Sequence, residues 1–114
     1  MVTALDTPTA YDAFVRAHPA AAGYFGSAEC GVCAALWPKL LAVLSARFPR
    51  IAVARVETGA TPALAAAHGV FTVPVVVVCF EGREWVRKAG AFSPAELERD
   101  IARPYALLFG EGAP

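Results

Sequence analysis

The sequence predicts an α/β fold: a four-stranded mixed sheet, assembled from a βαβ half and a ββα half, with helices on both faces. Three observations predict it. Strand-like and helix-like hydrophobic periods alternate along the chain, so strands in the first half need a right-handed helical crossover between them. Val73-Pro74-Val75-Val76-Val77-Val78-Cys79-Phe80 is an almost unbroken β-branched run, the composition of a strand buried on both faces. Finally, Cys30-Gly31-Val32-Cys33 sits where an apolar strand, Ala20 to Phe25, hands over to a long helical segment. A C-x-x-C in that position reads as a redox motif.

Each element has its own signal. Thr7-Pro8-Thr9 followed by Tyr11, Phe14 and Val15 reads as a capped helix, ending near His18-Pro19 because proline disfavours helix in the residue before it. After Cys33, Leu36, Leu40 and Val43 form one helical stripe, and Trp37, Leu41, Leu44 and Phe48 form the next. Pro38 lies inside this helix and predicts a kink at its second turn. Ile51 to Val56 alternates as a strand. Thr61-Pro62 opens a short helix that closes at His68-Gly69. Past the valine run, Glu81-Gly82-Arg83 turns into a weaker strand, Glu84 to Ala89. Ser93, with Glu96 three residues on, caps a last helix that carries Leu97 and Ile101 and extends past Pro104 toward Phe109. The apolar tail Tyr105 to Phe109 docks either on its own domain or on a second copy, and the final Gly-Glu-Gly-Ala-Pro is expected to fray.

Composition bounds the rest. A chain of 114 residues fits one domain, residues 1–114 with a core at about 20–103, and buries enough apolar surface to fold alone. Apolar residues make up 57% against a typical share of about 45–50%, which signals a dense alanine- and valine-rich core. The longest apolar run, Val70 to Phe80, is too short for a bilayer span of about 20 residues. Ten basic residues balance ten acidic ones, so no basic patch marks a nucleic-acid surface. The N-terminal residues lack the charged and apolar regions of a signal peptide. Three cysteines argue against a disulfide-stapled secreted domain and make the cytoplasm the expected compartment.

Taken together, the C-G-V-C motif, Pro38 five residues on, and Val73-Pro74 before a buried strand resemble the thioredoxin family. Gly69, Gly82 and Gly90 also match the family's glycines without a gap. The resemblance covers about residues 20 to 103. It implies a thioredoxin-like fold, a cis peptide at Val73-Pro74, and a thiol–disulfide oxidoreductase that reduces protein disulfides through a reversible Cys30–Cys33 disulfide. It further implies no bound cofactor, recharging by a thioredoxin reductase, and a contribution to redox homeostasis. Several positions depart from the family pattern. Glu29 and Val32 stand where a tryptophan and a proline are usual, Tyr24 where a buried aspartate is usual, Gly26 where a second tryptophan is usual, and Arg55 where a lysine is common.

On this reading Cys30 is the attacking residue. It precedes a helix, where unpaired N–H groups and the macrodipole stabilise a thiolate. Glu29 tunes its pKa upward, because a neighbouring negative charge disfavours a second one; the Cys30 pKa is therefore expected to exceed that of a Glu29→Trp variant. Cys33 resolves the mixed disulfide and is expected to be the more buried, with the higher pKa. Its proton leaves to water, to Glu57 or to the substrate's departing thiolate. Val73 and Pro74 position the substrate, whose extended chain pairs with the Val73 backbone like an added strand. Cys79 reads as a small buried hydrophobe. His18 and His68 read as helix-end residues, Trp37 and Trp85 as core or groove packing, and Arg55 as paired with a carboxylate or reaching to solvent. Two other functions compete: a thioredoxin-fold binding or adaptor module with little redox activity, and a zinc or cluster site. The second is weak, because one C-x-x-C supplies two ligands where structural zinc takes four; no metal site is predicted.

Overall fold

In the computed structural model, which describes residues 2–110, nine elements follow one another along the chain. They are β1 (Val2–Ala4), α1 (Pro8–Ala17), β2 (Ala20–Gly26), α2 (Gly31–Arg47), β3 (Ala52–Glu57), α3 (Pro62–Ala67), β4 (Val75–Phe80), β5 (Arg83–Ala89) and α4 (Pro94–Phe109). The strands form one mixed sheet in the order β1-β3-β2-β4-β5. The sheet thus has five strands where the sequence predicts four. The additional strand, β1, runs parallel to β3 with Val2 opposite Val53. It spans three residues and carries no period of its own, so only its pairing with β3 defines it.

The βαβ half pairs β2 and β3 in parallel, and β4 and β5 then add antiparallel. Every residue of β2 and of β4 is buried, as a strand covered on both faces requires. One face of the sheet packs Tyr24, Val76 and Val78 against Leu36, Leu40 and Leu44 of α2 and Leu97 and Ile101 of α4. The other packs Phe25, Val75, Val77 and Cys79 against Tyr11 of α1 and Leu64 of α3. Each fully buried leucine of these clusters contributes about 1.5–3 kcal/mol.

Local chemistry fixes the ends. Thr7 Oγ1 accepts the Ala10 N–H at 3.0 Å and Ser93 Oγ accepts the Glu96 N–H at 3.1 Å, each such cap stabilising its helix by about 1 kcal/mol. Between Phe80 and Arg83 the chain turns on two residues with positive φ, Glu81 at 53° and Gly82 at 78°. That matches the right-handed strand twist and explains the glycine. Helix α2 continues through Pro38, and α4 runs past Pro104 to Phe109. The apolar tail docks on its own domain: Tyr105 is buried against Phe48 and Phe109, while Leu107 stays exposed. Trp85, one of the two residues expected in core or groove packing, is 59% exposed and walls a surface groove of about 260 Å³ with Phe80, Pro104 and Leu108. The expected fraying of the last residues, 111–114, lies outside the described ones. Among the described residues no helix is long and apolar enough to cross a membrane.

Candidate active site

The C-terminal ends of β2 and β3 deliver two loops to one end of the sheet. From β2, residues Ser27, Ala28 and Glu29 lead to Cys30, the N-cap residue of α2. Cys30 and Cys33 form a disulfide, with Cα atoms 5.2 Å apart. The backbone N–H of Cys33 points at the Cys30 sulfur, 3.1 Å away. A helix start otherwise leaves that donor unsatisfied. Cys30 is half-buried and Cys33 has no exposure, so one sulfur faces the rim and the other the core.

Three features surround the pair. Gly26, the last residue of β2, lies under Cys33: a Cβ added there would stand 3.3 Å from the Cys33 Cβ. A side chain here requires Cys33 to give by a few tenths of an ångström. Glu57 Oε1 accepts the N–H groups of Ala28 at 3.2 Å and Gly59 at 3.4 Å, so this carboxylate holds the loops together. The Tyr24 hydroxyl donates to the Cys33 carbonyl oxygen at 2.8 Å, and burial pushes the Tyr24 phenol up from its ordinary pKa, against the nearby charge of Arg55.

Of the two settings expected for Arg55, the carboxylate pairing is not found, and the residue is half-buried. Among the described residues it makes no ion pair; its guanidinium lies 4.9 Å from the Trp37 ring centroid and 5.8 Å from that of Tyr24. The Tyr24 and Trp37 rings are themselves 5.0 Å apart. This three-residue stack joins β2, α2 and β3, and its members are too far apart in sequence for any local pattern to announce it.

The Val73–Pro74 peptide bond, just before β4, is cis. Val73 is half-buried and Pro74 buried. Phe71, which the sequence reading did not single out, is 82% exposed just before them, and Val32 within the motif is 50% exposed. A depression of about 340 Å³ beside Val32 is lined by Ala35, Leu36, Lys39, Phe92 and Pro94. Glu29 is exposed.

The remaining candidates lie elsewhere. Cys79 is buried on the α1–α3 face, where burial pushes its thiol up to about 11, assisted by the negative charge of Glu84. His68 caps the end of α3, its ring 4.3 Å from that of Tyr11 and its Nε2 3.8 Å from Asp12 Oδ1. His18 follows α1 and packs on Phe14. Among the described residues no group of His, Cys, Asp and Glu side chains is placed to hold a metal ion.

A cysteine pair bridged at the mouth of a helix, on a mixed sheet with helices on both faces, defines a protein of the thioredoxin-fold class. The thioredoxin family model matches residues 2–103, and the chain belongs to that family. It is 31% identical over 110 residues to the thioredoxin-like protein YdfQ of Bacillus subtilis (strain 168), a match covering 96% of this chain and 97% of that one. Its structure is similar to that of a mutant thioredoxin from Halobacterium salinarum NRC-1, with a TM-score of 0.79, 25% identity, and coverage of 99% of this chain and 94% of that one. Oxidized mitochondrial thioredoxin 3 from Saccharomyces cerevisiae shares the fold at a TM-score of 0.80 and 23% identity, covering 88% and 92% of the two chains.

Proposed function

We propose that this protein is a disulfide reductase acting on other proteins, working in the cytoplasm through the Cys30–Cys33 pair. The observation that carries the reading is the asymmetry of the two sulfurs: Cys30 at the rim, with a helix N–H aimed at it, and Cys33 with no exposure behind it.

In the reduced protein Cys30 is the nucleophile. Its thiolate attacks one sulfur of a substrate disulfide, forming a mixed disulfide and expelling the other substrate sulfur as a thiolate. Cys33, once deprotonated, attacks the Cys30 sulfur, closes the intramolecular disulfide and releases the second substrate thiol. The substrate gains two electrons and two protons, and the protein pair loses them. A dithiol reductase returns the pair to the thiol form without a bound cofactor. The Cys33 N–H lowers the Cys30 pKa by hydrogen bonding to the charged form, while Glu29 raises it. Val73 and Pro74 receive the substrate backbone, and exposed Phe71 and Val32 give its side chains an apolar surface.

Glu57 Oε1 accepts two backbone N–H groups; the Cys33 proton leaves to Glu57, to water or to the departing substrate thiolate.

Reduction of insulin disulfides with dithiothreitol as electron source tests the proposal. Wild type is expected to accelerate the reaction and Cys30→Ser to abolish the acceleration. Equal rates for the two proteins favour the thioredoxin-fold adaptor without redox work.

A further inference from the structure

We infer that Glu29 is a specificity-determining residue of this site, selecting disulfides whose cysteines have basic neighbours over those flanked by acidic ones. The inference rests on the redox reading above and adds to it the charge of the preferred substrate.

Glu29 directly precedes Cys30 in the chain, so their Cα atoms stand about 3.8 Å apart. The Cys30 N–H donates to the Ser27 carbonyl at 3.2 Å, closing a tight turn with Ala28 and Glu29 at its centre. The Glu57 carboxylate accepts the Ala28 N–H at 3.2 Å, which pins the same turn and brings a second negative charge to it. Glu29 itself is exposed. Among the described residues its carboxylate forms no hydrogen bond or ion pair. A fixed backbone therefore carries a free carboxylate beside the attacking sulfur.

The cations of neighbouring elements do not offset this charge. Lys39 is the first cation of α2, nine residues past Cys30, which puts its Cα about 13.5 Å along the helix at 1.5 Å per residue. That exceeds the Debye length of about 8 Å at physiological ionic strength. Arg55 lies over the Trp37 ring at 4.9 Å. Val32 and Phe71, 50% and 82% exposed, are apolar. In the exchange step the Cys30 thiolate attacks one substrate sulfur. A Cys30–substrate S–S bond forms as the substrate's own S–S bond breaks, and the electron pair leaves on the second substrate sulfur. One negative charge is shared among three sulfurs during this step, next to the carboxylate. A lysine or arginine beside the substrate cysteine offsets both charges, whereas an aspartate or glutamate adds a third. Exposure keeps the effect modest, because water and salt screen it.

The test uses two disulfide-linked peptide dimers, one with lysines flanking its cysteine and one with glutamates, reduced by the protein with dithiothreitol as electron source. The readout is the ratio of kcat/KM for the two peptides. A change in the Cys30 pKa alters both rates to the same extent and cancels from that ratio. Wild type is expected to favour the lysine peptide about three- to tenfold more than Glu29→Gln does, as one exposed charge acting on opposite substrate charges implies. The excess is expected to vanish in about 1 M salt, where the Debye length is about 3 Å. Glu29→Lys is expected to move the ratio further toward the glutamate peptide. Equal ratios for wild type, Glu29→Gln and Glu29→Lys overturn the inference and leave the redox reading in place, as does an excess that persists undiminished in high salt. A wild type that accelerates neither peptide, or a Cys30→Ser protein that accelerates both, overturns the redox reading and this inference with it.

Discussion

One carboxylate oxygen of Glu57 accepts the backbone N–H of Ala28 at 3.2 Å, tying the end of β3 to the loop that enters Cys30. The loop itself contributes little packing, since Ala28 and Glu29 are exposed. Its position is therefore set by this bond and by the Cys30 N–H to Ser27 carbonyl contact at 3.2 Å.

Glu57→Ala should destabilise the protein by about 0.5–1.5 kcal/mol, the net worth of such hydrogen bonds. It should also slow insulin reduction more than the stability loss explains, because the attacking sulfur is no longer held. Glu57→Gln keeps an acceptor oxygen and should recover most of both losses. Urea unfolding beside the activity assay measures this; a Glu57→Ala protein with unchanged rate would remove Glu57 from the site.

Glu29 should act through charge alone. It is exposed and, among the described residues, has no hydrogen bond or ion pair. Glu29→Gln should lower the pKa of Cys30 by removing a neighbouring negative charge, with no measurable change in melting temperature. Alkylation rates of the reduced protein across pH report that pKa, and an unchanged or rising value contradicts the assignment.

Alkaline stability should carry the mark of Cys79. Burial first, and then the negative charge of Glu84, push its folded pKa to about 11, with Arg87 opposing them. An unfolded thiol ionises at about 8.5. Below that pH both states hold the proton and the contribution is full; as pH rises through the unfolded value toward about 11, the unfolded state sheds its proton first and stability falls. Cys79→Ala should lose stability less steeply over this window. Denaturant midpoints of the two proteins against pH measure the difference, and parallel curves contradict it.

Gly23, in the central strand β2, has the Tyr11 ring directly over it. A Cβ there would overlap the Tyr11 hydroxyl and ring. Gly23→Ala should cost about 1–3 kcal/mol through overpacking, because Tyr11 is held between Phe25 and His68. An alanine variant as stable as wild type would show that Tyr11 moves aside freely.

What the sequence made legible is what local chemistry specifies. The cysteine pair, the Thr7 and Ser93 caps and the valine run each read correctly because the signal lies within a few residues. The three residues of β1 were missed because their only reason to be a strand is β3, about fifty positions away. Arg55 finds no carboxylate; half-buried, it lies over Trp37 and Tyr24. That outcome depends on β2, α2 and β3 converging, which no window of sequence displays. The same holds for Glu57, whose clamp on Ala28 bridges 29 positions. In each case the fold supplies a partner that periodicity cannot name.

The most direct measurement is covalent trapping. Reduced Cys33→Ser protein, mixed with a disulfide-bearing protein and examined by mass spectrometry, should yield a mixed disulfide through Cys30 that dithiothreitol releases. Cys30→Ser should yield none. Absence of any adduct with Cys33→Ser, or an adduct through Cys79 instead, would contradict the account.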